Sequence, residues 1–178
     1  MKNEFIKRMF ILGIITLFTI PLFAQKPIGF EEMQCVFSHG EYPGFKLTIP
    51  EADYDVITKS WIKELEKGTK SKIAIEGSEY SIFGAQISEI SENSLNIYSI
   101  IRSQDSTIVL ETSIEEKPKE FISKARSEKE FDKVKDYLYQ FGKKEYTAIA
   151  DNQLKEQERK LKNLEKEMSS LENTKSRL

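Results

Sequence analysis

Apolar residues change their spacing at Glu116-Lys117-Pro118, and that change constrains the fold more than any other feature. Upstream they alternate or form short runs bounded by Gly, Pro and Ser, as in half-buried strands. Downstream they recur every three to four residues in a Lys/Glu-rich background with one glycine and no further proline, as in helices. The chain therefore reads as α+β: a small antiparallel sheet with one packed helix, followed by a long C-terminal helix or coiled coil. About 90 residues upstream of the change suffice for one modest core. The expected division is a signal peptide at 1–24, an α+β domain at 25–117 and a helical, coiled-coil region at 118–178.

Within the α+β region, Met33–Phe37 and Gly44–Ile49 read as two short strands, joined by "SHGEYPGF" with Gly40, Pro43 and Gly44 as turn residues. A helix follows. Pro50 is expected to open it, and Glu51, Asp53 and Asp55 place negative charge at the positive end of its dipole. Tyr54, Ile57, Trp61 and Leu65 make one apolar stripe, Lys63 and Lys67 lie near its end, and Gly68 terminates it. "KIAIEGSEYSIF" has the alternation and the Gly77-Ser78 centre of a hairpin, because Gly accepts the positive φ of a type II′ turn. Two more strands, "SLNIYSII" and "STIVLETSI", flank the polar turn Ser103-Gln104-Asp105-Ser106. Leu95, Ile97 and Ile101 share one face of the first, and Ile108, Leu110 and Ile114 one face of the second. Strand order does not follow from these patterns.

Downstream, Phe131, Val134, Leu138 and Phe141 form a helical stripe, and Gly142 is expected to interrupt it as a stutter or kink. A cleaner heptad begins at Leu154. Leu154, Leu161 and Met168 hold one seam position, and Leu164, Leu171 and Leu178 the other, with Gln157 and Lys175 as polar exceptions. Mixed-sign charges from Lys155 to Glu167 cover the remaining faces. The alternative for this segment is a solvated single helix.

The N-terminus carries Lys2, Lys7 and Arg8 ahead of the apolar run Met9–Phe23, which is shorter than the roughly 20 residues a spanning helix needs. Pro21 precedes "LFA", so cleavage is expected between Ala24 and Gln25, with export to the periplasm or beyond and no stable membrane span afterwards; an uncleaved anchor is the alternative. Without residues 1–24 the chain keeps 24 Lys and Arg against 28 Asp and Glu, a net charge of −4, which does not suit nucleic acid.

Chemistry-bearing residues are sparse. Cys35 and His39 are the only cysteine and histidine, so a C-x₃-H pair lacks the four ligands of a structural zinc. Cys35 reads as a small buried hydrophobe or a free thiol, and His39 as an exposed turn residue. Asp53 and Asp55 lack the other donors of a calcium loop. No serine elbow or nucleophile–base pair emerges. Trp61 would stack a ligand only if exposed, and its place on the stripe points to the core. The expectation is no catalytic residue, no cofactor and no metal, and an interaction or scaffold protein rather than an enzyme, pairing with itself or another envelope protein through the C-terminal helix. The alternative is a small domain enclosing a lipid or hydrophobic peptide among Tyr80, Ile97, Ile101 and Leu110.

Together "PGFKLTIP", "ITKSWIKELEKG", "SENSLNIYSII" and "LKEQERKLKNLEKEM" resemble a family of uncharacterised exported bacterial proteins with a small α+β domain followed by a coiled-coil region. The resemblance spans most of the chain after residue 24, and none of its motifs is catalytic. It implies no transferable activity. Members continue past the point matching Leu178 into a second long helical segment, so the resemblance implies a short or truncated member here.

Overall fold

The computed structural model describes residues 27–175. The expected signal peptide, its cleavage at Ala24 and Gln25, and the seam residue Leu178 lie outside the described residues. The fold is α+β. Strands β1 (Gly29–Phe37), β2 (Gly40–Pro50), β3 (Ala74–Glu76), β4 (Glu79–Ala85), β5 (Leu95–Gln104) and β6 (Thr107–Lys117) form one antiparallel sheet in the order β1-β2-β6-β5-β4-β3, with the short β7 (Glu120–Phe121) pairing to β6. Helix α1 (Tyr54–Leu65) follows β2, and α2 (Glu128–Lys175) ends the described chain.

Alternation sorts the strands as expected. Leu95, Ile97 and Ile101 of β5, and Ile108, Leu110 and Ile114 of β6, are all buried on the face that the helices cover. On that face α1 packs over β5 and the first part of α2 over β2. Trp61 is fully buried, its ring 5.0 Å from Phe141 at a steep angle, and its indole N–H donates to Ser99 Oγ at 3.1 Å. Ser99 Oγ in turn lies 3.1 Å from Thr112 Oγ1, which also reaches the Tyr98 carbonyl. This small polar chain satisfies the groups that the apolar layer would otherwise strand without partners.

Several local expectations are corrected. "SHGEYPGF" is not a long connection: β1 and β2 are longer than expected and turn at Ser38-His39 alone, with Phe37 opposite Gly40. Pro43 falls before β6 begins to pair at Phe45, a stretch where a missing donor is tolerated. Gly44 serves close approach, because a Cβ there would lie 2.5 Å from Ser113 Oγ and 2.6 Å from Cys35 Sγ. Pro50 ends β2 rather than opening α1. The helix is capped by Asp53, whose carboxylate accepts from the amides of Asp55 and Val56 at 3.0 and 3.1 Å. Gly77 does take a positive φ, 62°, in the β3–β4 turn.

Helical structure resumes ten residues later than the change of spacing, after β7 and a turn, with Ser127 accepting at the helix start. Gly142 does not interrupt it: α2 is one uninterrupted helix of 48 residues, about 72 Å at 1.5 Å per residue. Its glycine is explained by packing. A Cβ there would sit 3.2 Å from both Ile28 and Leu47, so Gly142 lets the helix lie close on the sheet. Val134, Leu138 and Phe141 belong to the same core cluster as Trp61, so packing continues across the compositional change at 118.

Candidate functional site

Beyond Tyr146 the long helix leaves the domain. From residue 150 to residue 174 every position is exposed, with no sheet or helix against it. The seam residues expected from the heptad are among these: Leu154, Leu161, Leu164, Met168 and Leu171 keep 57–70% of their surface in water. They project at a/d spacing along about 26 Å of helix. Around them, Glu156 accepts from Lys160 at 2.7 Å, and that contact holds the Glu156 carboxyl below its usual range. Such exposed pairs are screened by water and contribute little to stability. An apolar stripe of this length is the largest uncovered hydrophobic feature that the heptad pattern creates, and its chemistry is that of a helix-pairing surface.

The helix is anchored firmly at its base. Glu145, almost wholly buried, accepts from Ser60 Oγ at 2.6 Å and lies 3.6 Å from Lys144, which also reaches Glu64 at 3.6 Å. These contacts tie α2 to α1 where the helix departs. Beside them runs a cleft of about 540 Å³ with Tyr137 and Phe141 in its lining and Glu64, Lys67, Asp136 and Lys144 among its charges. Burial, with the carboxylates of Glu64 and Glu89, pushes the Tyr137 hydroxyl far above its usual range, so it stays neutral. Three acidic and three basic side chains line it, with Lys67 and Lys144 both beside Glu64, so the cleft has no net charge to favour an ion of either sign.

The residues weighed for chemistry are not brought together. Cys35 is fully buried, and its thiol points to the Thr112 carbonyl at 3.9 Å rather than to His39. Burial raises the thiol above its ordinary range, so the reactive thiolate is disfavoured and a cross-linking role has no accessible sulfur. His39 sits in the Ser38-His39 turn, its side chain 42% exposed, as expected of a turn residue. Asp53 is the α1 cap. Among the described residues no group of three His, Cys, Asp or Glu side chains is placed to hold a metal ion. No described helix is long and apolar enough to cross a membrane.

One assembly escapes the sequence altogether. On the sheet face opposite the helices, Phe37, His39, Tyr42, Phe83, Tyr98 and Phe121 form a continuous ring cluster, with centroid separations from 4.3 Å for Tyr42–Phe121 to 6.3 Å for Tyr98–Phe121. It forms because the β1–β2 hairpin bends at Gly44 across that face, and Glu79 of β4 catches its tip: Ser38 donates its amide and hydroxyl to the carboxylate at 2.6 and 2.9 Å. The aromatic residues at outer-face positions of β4 and β5 were the available signal, but only the tertiary bend joins them. Comparison with protein-family models, curated proteins and solved structures finds no match to this chain.

Proposed function

We propose that this is an exported, non-enzymatic interaction or scaffold protein of the bacterial cell envelope, associating through its C-terminal helix as a coiled coil with itself or with another envelope protein. The observation that carries the reading is the uncovered seam from Leu154 to Leu171 on a helix whose base is locked to the domain. Each seam side chain buried against a partner helix is worth about 1.5–3 kcal/mol before the costs of association. In a parallel self-pair, Lys160 would face Glu165 of the second copy, whereas Glu167 would face Glu172. Attraction and repulsion then nearly offset, and the strength of a self-pair rests on the apolar residues.

The cationic start, short apolar run and "LFA" support export. N-terminal sequencing of the protein from cell envelopes is expected to begin at Gln25; a start at Met1 would restore the anchor. Association is tested by sedimentation equilibrium. Leu161→Asp with Leu164→Asp is expected to shift the apparent mass toward the monomer, since charges in a dry seam cost several kcal/mol. The apolar-ligand alternative has less support. Tyr80, Ile97, Ile101 and Leu110 are buried in one cluster with Trp61, and α2 lies across it.

A further inference from the structure

The outer face of the sheet carries a cleft that the helix-pairing reading does not use. Register places Ala74 and Glu76 of β3 opposite Ser81 and Glu79 of β4, on the face that also presents Phe83 and Tyr98. The tip of the β1–β2 hairpin, Phe37 to His39, forms the facing wall, and about 280 Å³ lies between. Pockets of this size suit a small ligand or a single side chain.

Three properties of the lining select its ligand. First, Phe83 is 57% exposed and meets Tyr98 at 81° with centroids 5.9 Å apart, so the two rings form a corner instead of closing on each other. Solitary exposed apolar residues are common, but this one joins a six-ring cluster at the edge of a cleft. Second, the fixed charges are negative. The Glu76 side chain has no hydrogen bond or ion pair among the described residues, and the Glu79 carboxylate is held in the wall by Ser38. Third, the lining contains neither Lys nor Arg; its one basic side chain, His39, lies 3.9 Å from Glu79 and leaves Glu76 without a cationic neighbour in the lining, while Lys72 pairs with Glu66 and Arg102 with Glu111.

We propose that this cleft binds an organic cation, an alkylammonium or guanidinium group, with the rings of Phe83 and Tyr98 beside it and Glu76 and Glu79 neutralising it. Ring faces are electron-rich and attract such cations within about 6 Å. An anion would meet two carboxylates. A neutral apolar ligand would desolvate Glu76 without compensating it. A metal ion would find rings where it needs converging donors. The cleft is also preorganised, because Gly44 permits the bend and Glu79 clamps the tip, so little ordering remains for the ligand to drive.

The test is an amide NMR titration of the full chain with tetramethylammonium, with N-acetyl-arginine amide, and with tert-butanol as a neutral analogue of the first. At least one cation is expected to saturate, moving the amides of Ala74, Phe83 and Tyr98, while tert-butanol does not. Glu76→Gln and Phe83→Ala, both at exposed positions, are each expected to weaken that binding by roughly fivefold, with the rest of the spectrum unchanged. Preference for tetramethylammonium identifies a small quaternary ligand, and preference for the arginine amide identifies a protein side chain. Absence of saturable shifts from both cations, equal binding of tert-butanol, or undiminished binding in Glu76→Gln would overturn the proposal.

Discussion

The segments 128–146 and 150–174 of α2 share one unbroken backbone but differ in what holds them. The first carries aromatic and branched residues, Phe131, Val134, Leu138 and Phe141, and lays them on the sheet beside Trp61. The second carries leucines at heptad spacing among charged residues, is exposed throughout, and reaches the domain only through Gln153, which donates to the Glu51 carboxylate at 3.4 Å near its start. Hydrogen bonding along the helix is the same in both. Tertiary burial exists only in the first, and burial supplies most helical stability in proteins. The lesson is that the second segment draws on helix propensity and weak exposed contacts such as Glu156–Lys160 unless a partner covers it.

Substitutions can break or sharpen that contrast. The largest expected effect is Trp61→Ala, which removes the side chain linking sheet, α1 and α2 and leaves the Ser99–Thr112 chain without its donor. A loss of about 3–5 kcal/mol is expected in a urea melt, and an unchanged midpoint would mean the ring contributes no burial. Next, Leu138→Ala and Leu164→Ala delete the same atoms from the two halves of one helix. Leu138→Ala is expected to cost about 2–5 kcal/mol, whereas Leu164→Ala in dilute protein stays within about 0.5 kcal/mol of wild type. Equal costs would erase the distinction. Smaller than the Leu138→Ala cost is that of Glu145→Gln at the boundary, which weakens the buried contact with Ser60 and the pairing with Lys144; about 1–3 kcal/mol is expected from chemical denaturation.

Much of the packed half was legible because its signals are local. Three-and-four spacing found the buried face of α1, alternation found the core faces of β5 and β6, and Gly77-Ser78 marked a true turn. The misreadings share one cause. By local rules Pro43, Gly44, Pro50 and Gly142 read as punctuation. Gly44 and Gly142 instead mark places where one backbone approaches another element, and Pro43 and Pro50 occupy β2 where the ladder tolerates them. Close approach is a tertiary requirement and leaves no periodic trace. The ring cluster was hidden for the same reason, since Phe37, Phe83 and Phe121 are joined only by the bend of a hairpin over the sheet. The seam was legible as a pattern, and the exposure of its described residues is what the structure adds.

The central claim, that 150–174 depends on association while 128–146 depends on the domain, is tested most directly by amide hydrogen exchange across a protein concentration series. The account predicts slow exchange in 128–146 at every concentration. In 150–174 it predicts fast exchange in dilute protein, slowing as concentration rises, and no such slowing in Leu161→Asp with Leu164→Asp. Equal protection of 150–174 at all concentrations and in the double variant would contradict it, and would make the segment a solvated helix stable on its own.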